Sequence, residues 1–248
     1  MSRDHLSELT DWFVCAANGN LSDQIVAAYL RGSAARGDNI PGISDVDFYM
    51  IVHDSALLNT SSRQTLYDRL HPMVQEANRR WAAEKPTFRV VPMSYLRLNK
   101  VGSFLTSLEA KILVGSDVLA QVEKPTAAEL SQFGCEELRR FSDFWTQRDS
   151  GAITFNSLSE MASYKQYVTL KLAQTALLSK GIISLRKQEV SEAFGKEFYV
   201  LDSADVVDRA KSLRENGLQS STDSELRCFI DEADRFLGIL REDRPSKT

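Results

Sequence analysis

Two carboxylates two positions apart, Asp45 and Asp47, lead into the apolar run Val46–Val52. In an extended chain, side chains at i and i+2 share a face, so these acids point the same way, about 7 Å apart along the strand. Such a pair repels itself unless a cation lies between its members. Mg²⁺ takes one or two carboxylates together with phosphate oxygens and water. Asp45 and Asp47 are therefore read as metal ligands and catalytic residues of a Mg²⁺ site, while Val46 and Phe48 alternate away from it toward a core. Upstream, the run Ile25–Leu30 stops at Arg31-Gly32-Ser33. Glycine lets the backbone approach a ligand that a Cβ would hold off, and Ser33 adds a hydroxyl. A helix starting there would aim unpaired N–H groups at a phosphate. Gly32, Ser33 and Ser44 are the nucleotide-binding candidates next to the two acids.

The elements that must position these residues follow from periodicity. Leu6, Leu9, Phe13 and Val14 predict a helix from about Ser7 to Ala17. Ile25–Leu30 and Val46–Val52 read as buried strands, separated by the loop formers Asp38 to Gly42. Ser61 and Gln64 have the spacing of a capping box, followed by a helical stripe Leu66, Leu70, Val74, Ala77 and Trp81, with a kink expected at Pro72. Phe88–Val91, between Pro86 and Pro92, is a third strand. After about Leu96 the patterns turn helical. Thr126/Glu129, Ser157/Glu160 and Thr222/Glu225 each fit a capping box. Met161, Tyr164, Val168 and Leu172 make one stripe, and Leu226, Phe229, Ala233, Phe236 and Leu240 another, as in a bundle core. The expectation is an N-terminal α/β domain over residues 1–110 and an all-helical C-terminal domain over 111–248, with a frayed tail from Asp243 to Thr248.

The order of strand, Gly32-Ser33, a loop of eleven residues and then Asp45-Val46-Asp47 on an apolar strand resembles the signature of the DNA polymerase beta-like nucleotidyltransferases. The chain looks most like the bacterial aminoglycoside nucleotidyltransferases within that superfamily. Leu113-Val-Gly-Ser-Asp-Val-Leu119 is similar to a stretch those proteins carry after the third strand. Tyr167-Val-Thr-Leu-Lys-Leu-Ala-Gln174, Gly181-Ile-Ile-Ser184 and Arg186-Lys187 resemble their helical domain. The resemblance implies an α+β nucleotidyltransferase domain with a short mixed sheet, followed by a helical bundle. It also implies that a basic residue after the glycine, Arg186 or Lys187, contacts a triphosphate, with Lys171 a further candidate. Members of the superfamily place a third carboxylate on the third strand. Here Thr87 and Arg89 occupy the corresponding face, so the base is sought at Glu84, with Glu109 and Glu160 as alternatives.

The activity implied is Mg²⁺-dependent transfer of a nucleoside monophosphate, AMP from ATP in the first instance, to a hydroxyl of a small molecule such as an aminoglycoside, bound between the two domains. Another nucleoside triphosphate in place of ATP, a protein acceptor, a toxin–antitoxin role and a catalytically weakened nucleotide-binding regulator are the alternatives. A net charge of −4 and a pI near 5.5 argue against an extended nucleic-acid surface. Cys15, Cys135 and Cys228 are odd in number and far apart, which suggests neither a disulfide framework nor a zinc site, and reduced, mostly buried thiols are expected. No apolar run reaches the roughly 18 residues of a membrane span, and the N-terminal segment is polar, so a cytoplasmic protein is expected. Nothing in the sequence bears on oligomeric state.

Overall fold

The computed structural model describes residues 3–40, 44–147, 154–198 and 204–242. The chain divides into two compact units, Met1–Pro125 and Thr126–Thr248.

In the first unit, α1 (Arg3–Asn20) puts Leu9, Phe13 and Ala17 on one fully buried stripe. It precedes β1 (Ile25–Arg31) and the one-turn α2 (Gly32–Arg36). Gly37 ends α2 in the left-handed region at φ 76°, which only glycine enters without strain. The loop read at Asp38–Gly42 is described as far as Ile40; Pro41 to Ile43 and the tail from Asp243 lie outside the described residues. β2 (Val46–Val52) follows, then α3 (Thr60–Arg80). The cap of α3 is Asn59, whose side chain accepts from the Ser62 N–H at 2.9 Å. The expected Ser61/Gln64 box does not form, because an Asn two positions earlier takes the stronger cap and leaves Ser61 inside the first turn. Gln64 instead donates to Asp68. The helix runs on through Pro72.

β3 (Pro86–Pro92), the short helices α4 (Tyr95–Leu98) and α5 (Lys100–Ser107), and β4 (Ala110–Gly115) complete the unit. The sheet order is β3-β2-β1-β4, with β2 and β3 parallel and β1 antiparallel to both of its neighbours, a short mixed sheet. β4 was not expected. Its sequence, Ala-Lys-Ile-Leu-Val-Gly, lacks alternation, and as an edge strand it is half-buried over most of its length. A division after residue 110 would cut β4 from β1; the compact units instead meet at Pro125 and Thr126. One face of the sheet, with Ala28, Leu30, Val46, Phe48, Met50 and Val52, packs under α1 and α3. Phe48 stacks on Phe13 at 4.1 Å and on Phe88 at 5.3 Å between ring centroids. The other face is covered only in part, by Leu96 of α4 and by Val118 and Leu119.

The second unit comprises α6 (Ala127–Gln147), α7 (Leu158–Ser179), α8 (Lys187–Glu197), α9 (Ala204–Asn216) and α10 (Asp223–Glu242). All three expected start signals operate. Thr126 and Glu129 exchange hydrogen bonds, as do Thr222 and Glu225, and Ser157 accepts from the Glu160 N–H at 3.1 Å. α7 packs against each of the other four helices. Gly134 lets α6 touch it, since a Cβ there would fall 2.3 Å from the Ser179 nitrogen. Leu226, Phe229, Ala233, Phe236 and Leu240 are buried in the bundle core, as their spacing predicts. The cysteines are free, but Cys15 and Cys228 are exposed rather than buried, standing on the outward sides of α1 and α10. Among the described residues no helix is long and apolar enough to cross a membrane.

Candidate active site

The partly covered face of the sheet is organised in three cross-strand rows. Strand pairing sets Arg31, Asp47 and Thr87 side by side in the first, Tyr29, Tyr49 and Arg89 in the second, and Ala27, Ile51 and Val91 in the third. Paired residues share a face, so the rows run from charge through aromatic to apolar within three positions. The third row is buried under α4 and the Val118–Leu119 segment. The first stands at the edge of the sheet where β1 ends and β2 and β3 begin, with Asp45 exposed beside it.

Asp47 is half-buried. The Thr87 hydroxyl donates to its Oδ1. Its Oδ2 lies 3.3 Å from where a Cβ on Gly32 would be, and Gly32 has φ 68°. The missing side chain of Gly32 is thus the space in front of this carboxylate. Burial pushes the Asp47 carboxyl up from its ordinary value, the Thr87 bond opposes that shift, and Asp45 and Glu109 raise it further while Arg31 lowers it. A half-buried carboxylate pressed by neighbouring acids is a group that gains from a cation. Asp45 makes no ion pair among the described residues. Nor is there any cluster of three or more His, Cys, Asp or Glu that would cage a metal among them. Two carboxylates without a cage suit Mg²⁺, which completes its octahedron with phosphate oxygens and water, better than zinc or a structural calcium.

Beside this pair lies an ion-pair network that joins residues far apart in sequence. Arg31 Nε is 3.0 Å from Glu109 Oε1, Arg36 Nη1 is 2.5 Å from Glu109 Oε2, and Arg36 Nε is 3.3 Å from Asp38. Glu109 precedes β4 and its carbonyl accepts the Gly32 N–H at 3.1 Å. It is the third carboxylate nearest in influence to Asp47, and both its oxygens are held by guanidinium groups. In the second row the Tyr29 hydroxyl donates to Asp117 and accepts from the Leu119 N–H. Burial pushes Tyr29 up to about 12 against the Leu119 bond, helped by the hydrogen bond to Asp117 and then by its charge, and burial does the same to Tyr49 against the Arg89 charge.

Of the expected site residues, the fold brings Gly32, Ser33, Asp45 and Asp47 to one edge. The Gly32 N–H is spent on Glu109, but the Ser33 hydroxyl has no hydrogen-bond partner among the described residues. Ser44 is buried, and its hydroxyl accepts from the Ile40 N–H at 2.9 Å while its own N–H donates to the Ile40 carbonyl. It therefore closes the loop that delivers Asp45. Glu84 is not brought to the pair. It sits 7% exposed before the left-handed Lys85, with Oε1 3.5 Å from His5 Nδ1 of α1, the helix that covers the opposite face of the sheet. Glu160 serves the start of α7, accepting from the Asn156 N–H. Lys171, Arg186 and Lys187 belong to the second unit. There one stripe of α7, Tyr167, Lys171 and Gln174, runs beside the entry to α8. Gln174 donates to the Ser184 carbonyl, and Lys187 Nζ lies 4.7 Å from the Tyr167 ring centroid. Arg186 is 3.8 Å from Glu189 and largely exposed.

No family model matches this sequence, and no curated protein matches it. Among solved structures, the fold is similar to that of the spectinomycin adenyltransferase AAD(9) from Enterococcus faecialis, determined with ATP and spectinomycin. The TM-score is 0.59 at 11% identity, covering 94% of this chain and 99% of that one. At that identity the likeness bears on architecture, and it extends over both units. The chain has a nucleotidyltransferase-like fold, an N-terminal mixed-sheet domain followed by a helical region, similar to that of the spectinomycin adenyltransferase.

Proposed function

We propose that this chain is an enzyme that transfers a nucleoside monophosphate, AMP from ATP in the first instance, to a hydroxyl group of a small molecule. The observation that carries the reading is the juxtaposition of the Asp47 carboxylate with the Cβ-free Gly32 and with Asp45, at the uncovered end of an otherwise packed sheet face. The solved structure of similar fold held ATP and spectinomycin, which supports a nucleotide and a small-molecule acceptor as partners. Asp45 and Asp47 would hold Mg²⁺. The ion, when bound, neutralises charge on the triphosphate and lowers the pKa of an acceptor hydroxyl. Ser33 would bind the phosphates, and the missing Cβ of Gly32 would leave them room, on the β1 side of Asp47. The acceptor oxygen bonds to the α-phosphorus as the bond to the bridging oxygen breaks. That electron pair leaves with pyrophosphate, and the hydroxyl proton passes to water. Thr87 keeps Asp47 in its rotamer. Lys171, Arg186 and Lys187 are proposed as phosphate contacts, on the resemblance of their segment to the nucleotidyltransferase helical domain.

A second reading has its own observation. On this face β3 presents Thr87 and Arg89 and no carboxylate, and the nearby Glu109 is held by two arginines. Nucleotide binding without transfer would follow. Labelled ATP with a panel of hydroxyl acceptors decides between the two. The enzyme reading expects Mg²⁺-dependent release of pyrophosphate with at least one acceptor, and binding of Mg-ATP with no pyrophosphate from any of them would support the regulator.

A further inference from the structure

Resting on the nucleotidyl-transfer reading, we propose that the acceptor carries an anionic group, a carboxylate or a phosphate, and that Arg89 binds it. If the triphosphate lies on the β1 side of Asp47, against Gly32 and Ser33, in-line displacement requires the attacking oxygen to come from the opposite side of the α-phosphorus. That side is the β3 edge, where the face carries Thr87 and then Arg89. Residues i and i+2 on a strand stand about 7 Å apart, roughly the reach from a reacting hydroxyl to a charged group a few bonds away in the same small molecule.

Arg89 is built to present its charge. It is exposed on an edge strand, and no carboxylate among the described residues lies within ion-pair distance of it. Its guanidinium carbon lies 5.9 Å from the ring centroids of both Tyr49 and Tyr95, and its Nη2 donates to the Tyr95 hydroxyl at 3.2 Å. Asn99 Nδ2 also donates to that hydroxyl, at 2.5 Å, so the tyrosine that holds the guanidinium is itself held. A guanidinium bonded to a tyrosine hydroxyl and lying beside two rings is partly oriented before binding and offers the planar fork that matches carboxylate and phosphate. The contrast with Arg31 is informative. Arg31 also lies 5.9 Å from the Tyr49 centroid, but its charge is answered by Glu109. The Arg89 charge is not answered by a carboxylate among the described residues. A polycationic acceptor would meet an unpaired cation at this edge, whereas an anionic one would answer it.

The test uses one diol scaffold with four head groups: glycerol, glycerate, glycerol 3-phosphate and 3-amino-1,2-propanediol, each titrated into the Mg-ATP complex of the wild-type protein and of Arg89→Gln. Calorimetry reads binding, and pyrophosphate release reads transfer. Glycerate or glycerol 3-phosphate should bind at least about tenfold tighter than glycerol or the amine, and Arg89→Gln should erase that preference while leaving Mg-ATP affinity unchanged. Which of the two anions binds tighter distinguishes a carboxylate site from a phosphate site. Equal or tighter binding of the neutral or cationic compounds, or no binding of either anion, would overturn the proposal. So would a tenfold loss of Mg-ATP affinity in Arg89→Gln, which would make Arg89 a nucleotide contact. Mg-ATP affinity of the wild-type protein, measured first, is the separate check on the nucleotidyl-transfer reading.

Discussion

Val46, Phe48, Met50 and Val52 of β2 are each 1% exposed or less, pressed under α1 and α3, whereas Asp47, Tyr49 and Ile51 pass from half-buried charge to full burial in three positions. The same strand thus serves two regions governed by different physics. On the α1 side, burial is uniform and aromatic stacking locks Phe48 between Phe13 and Phe88. On the other side the cover stops one row short of the strand's beginning, and what is left uncovered is a carboxylate pair with a glycine in front of it. The difference teaches that a site here is a place where packing is withheld: the first face holds the strand rigid, and the second leaves the acids accessible.

Substitutions on the two faces should separate stability from function, with effects that fall in order. Phe48→Ala removes a fully buried ring and is expected to cost about 3–5 kcal/mol, read as a lower denaturant midpoint with little information about ligand binding. Glu109→Gln leaves Arg31 and Arg36 without their shared anion. Because these groups retain some exposure, the expected cost is about 1–2 kcal/mol. If Glu109 only positions the arginines, the pH profile of kcat keeps its acidic limb, whereas a catalytic base at Glu109 would remove it. Gly32→Ala forces a Cβ at positive φ and against Asp47 Oδ2. It should cost about 1–2 kcal/mol of stability and weaken Mg-ATP binding more than the stability loss accounts for.

The smallest effect has the opposite sign. Asp47 has a folded-state pKa above its ordinary value, so its native form favours the proton. Its ionisation weighs against the fold as pH rises from the ordinary carboxylate range through the raised value. Without metal, Asp47→Asn should therefore raise Tm slightly at neutral pH, and the difference should vanish in acid below the ordinary carboxylate range. Mg²⁺ should stabilise the wild-type protein and not the variant. A neutral-pH decrease in Tm on Asp47→Asn would show that the Thr87 bond outweighs desolvation.

Much of this was legible in sequence because it is local. The i, i+2 spacing around Asp47 put Val46 and Phe48 toward the core, capping boxes marked the starts of α6, α7 and α10, and the Gly32-Ser33 to Asp45-Val46-Asp47 spacing located the edge where the acids collect. What was not legible depends on pairing at long range. β4 carries no alternation, so its pairing with β1 could not be foreseen, and with it the arrival of the Glu109 side chain beside Arg31 and Arg36. Glu84 lies close to β3 in sequence, but the left-handed turn at Lys85 directs it toward His5 on the far face. The Ser44 hydroxyl accepts from the Ile40 N–H, a bond across the loop that the sequence does not announce. Arg89 carries no signal of its own in the sequence, because Tyr49 reaches it only through the pairing of β2 with β3, and Tyr95 through the turn that follows β3.

The central claim is that Asp45 and Asp47 form a Mg²⁺-nucleotide site, and calorimetric titration of Mg-ATP into the wild-type protein and the Asp45→Asn/Asp47→Asn double variant tests it most directly. The account predicts saturable, Mg²⁺-dependent binding to the wild-type protein and none to a folded double variant. Equal Mg-ATP affinity in the two proteins would contradict it.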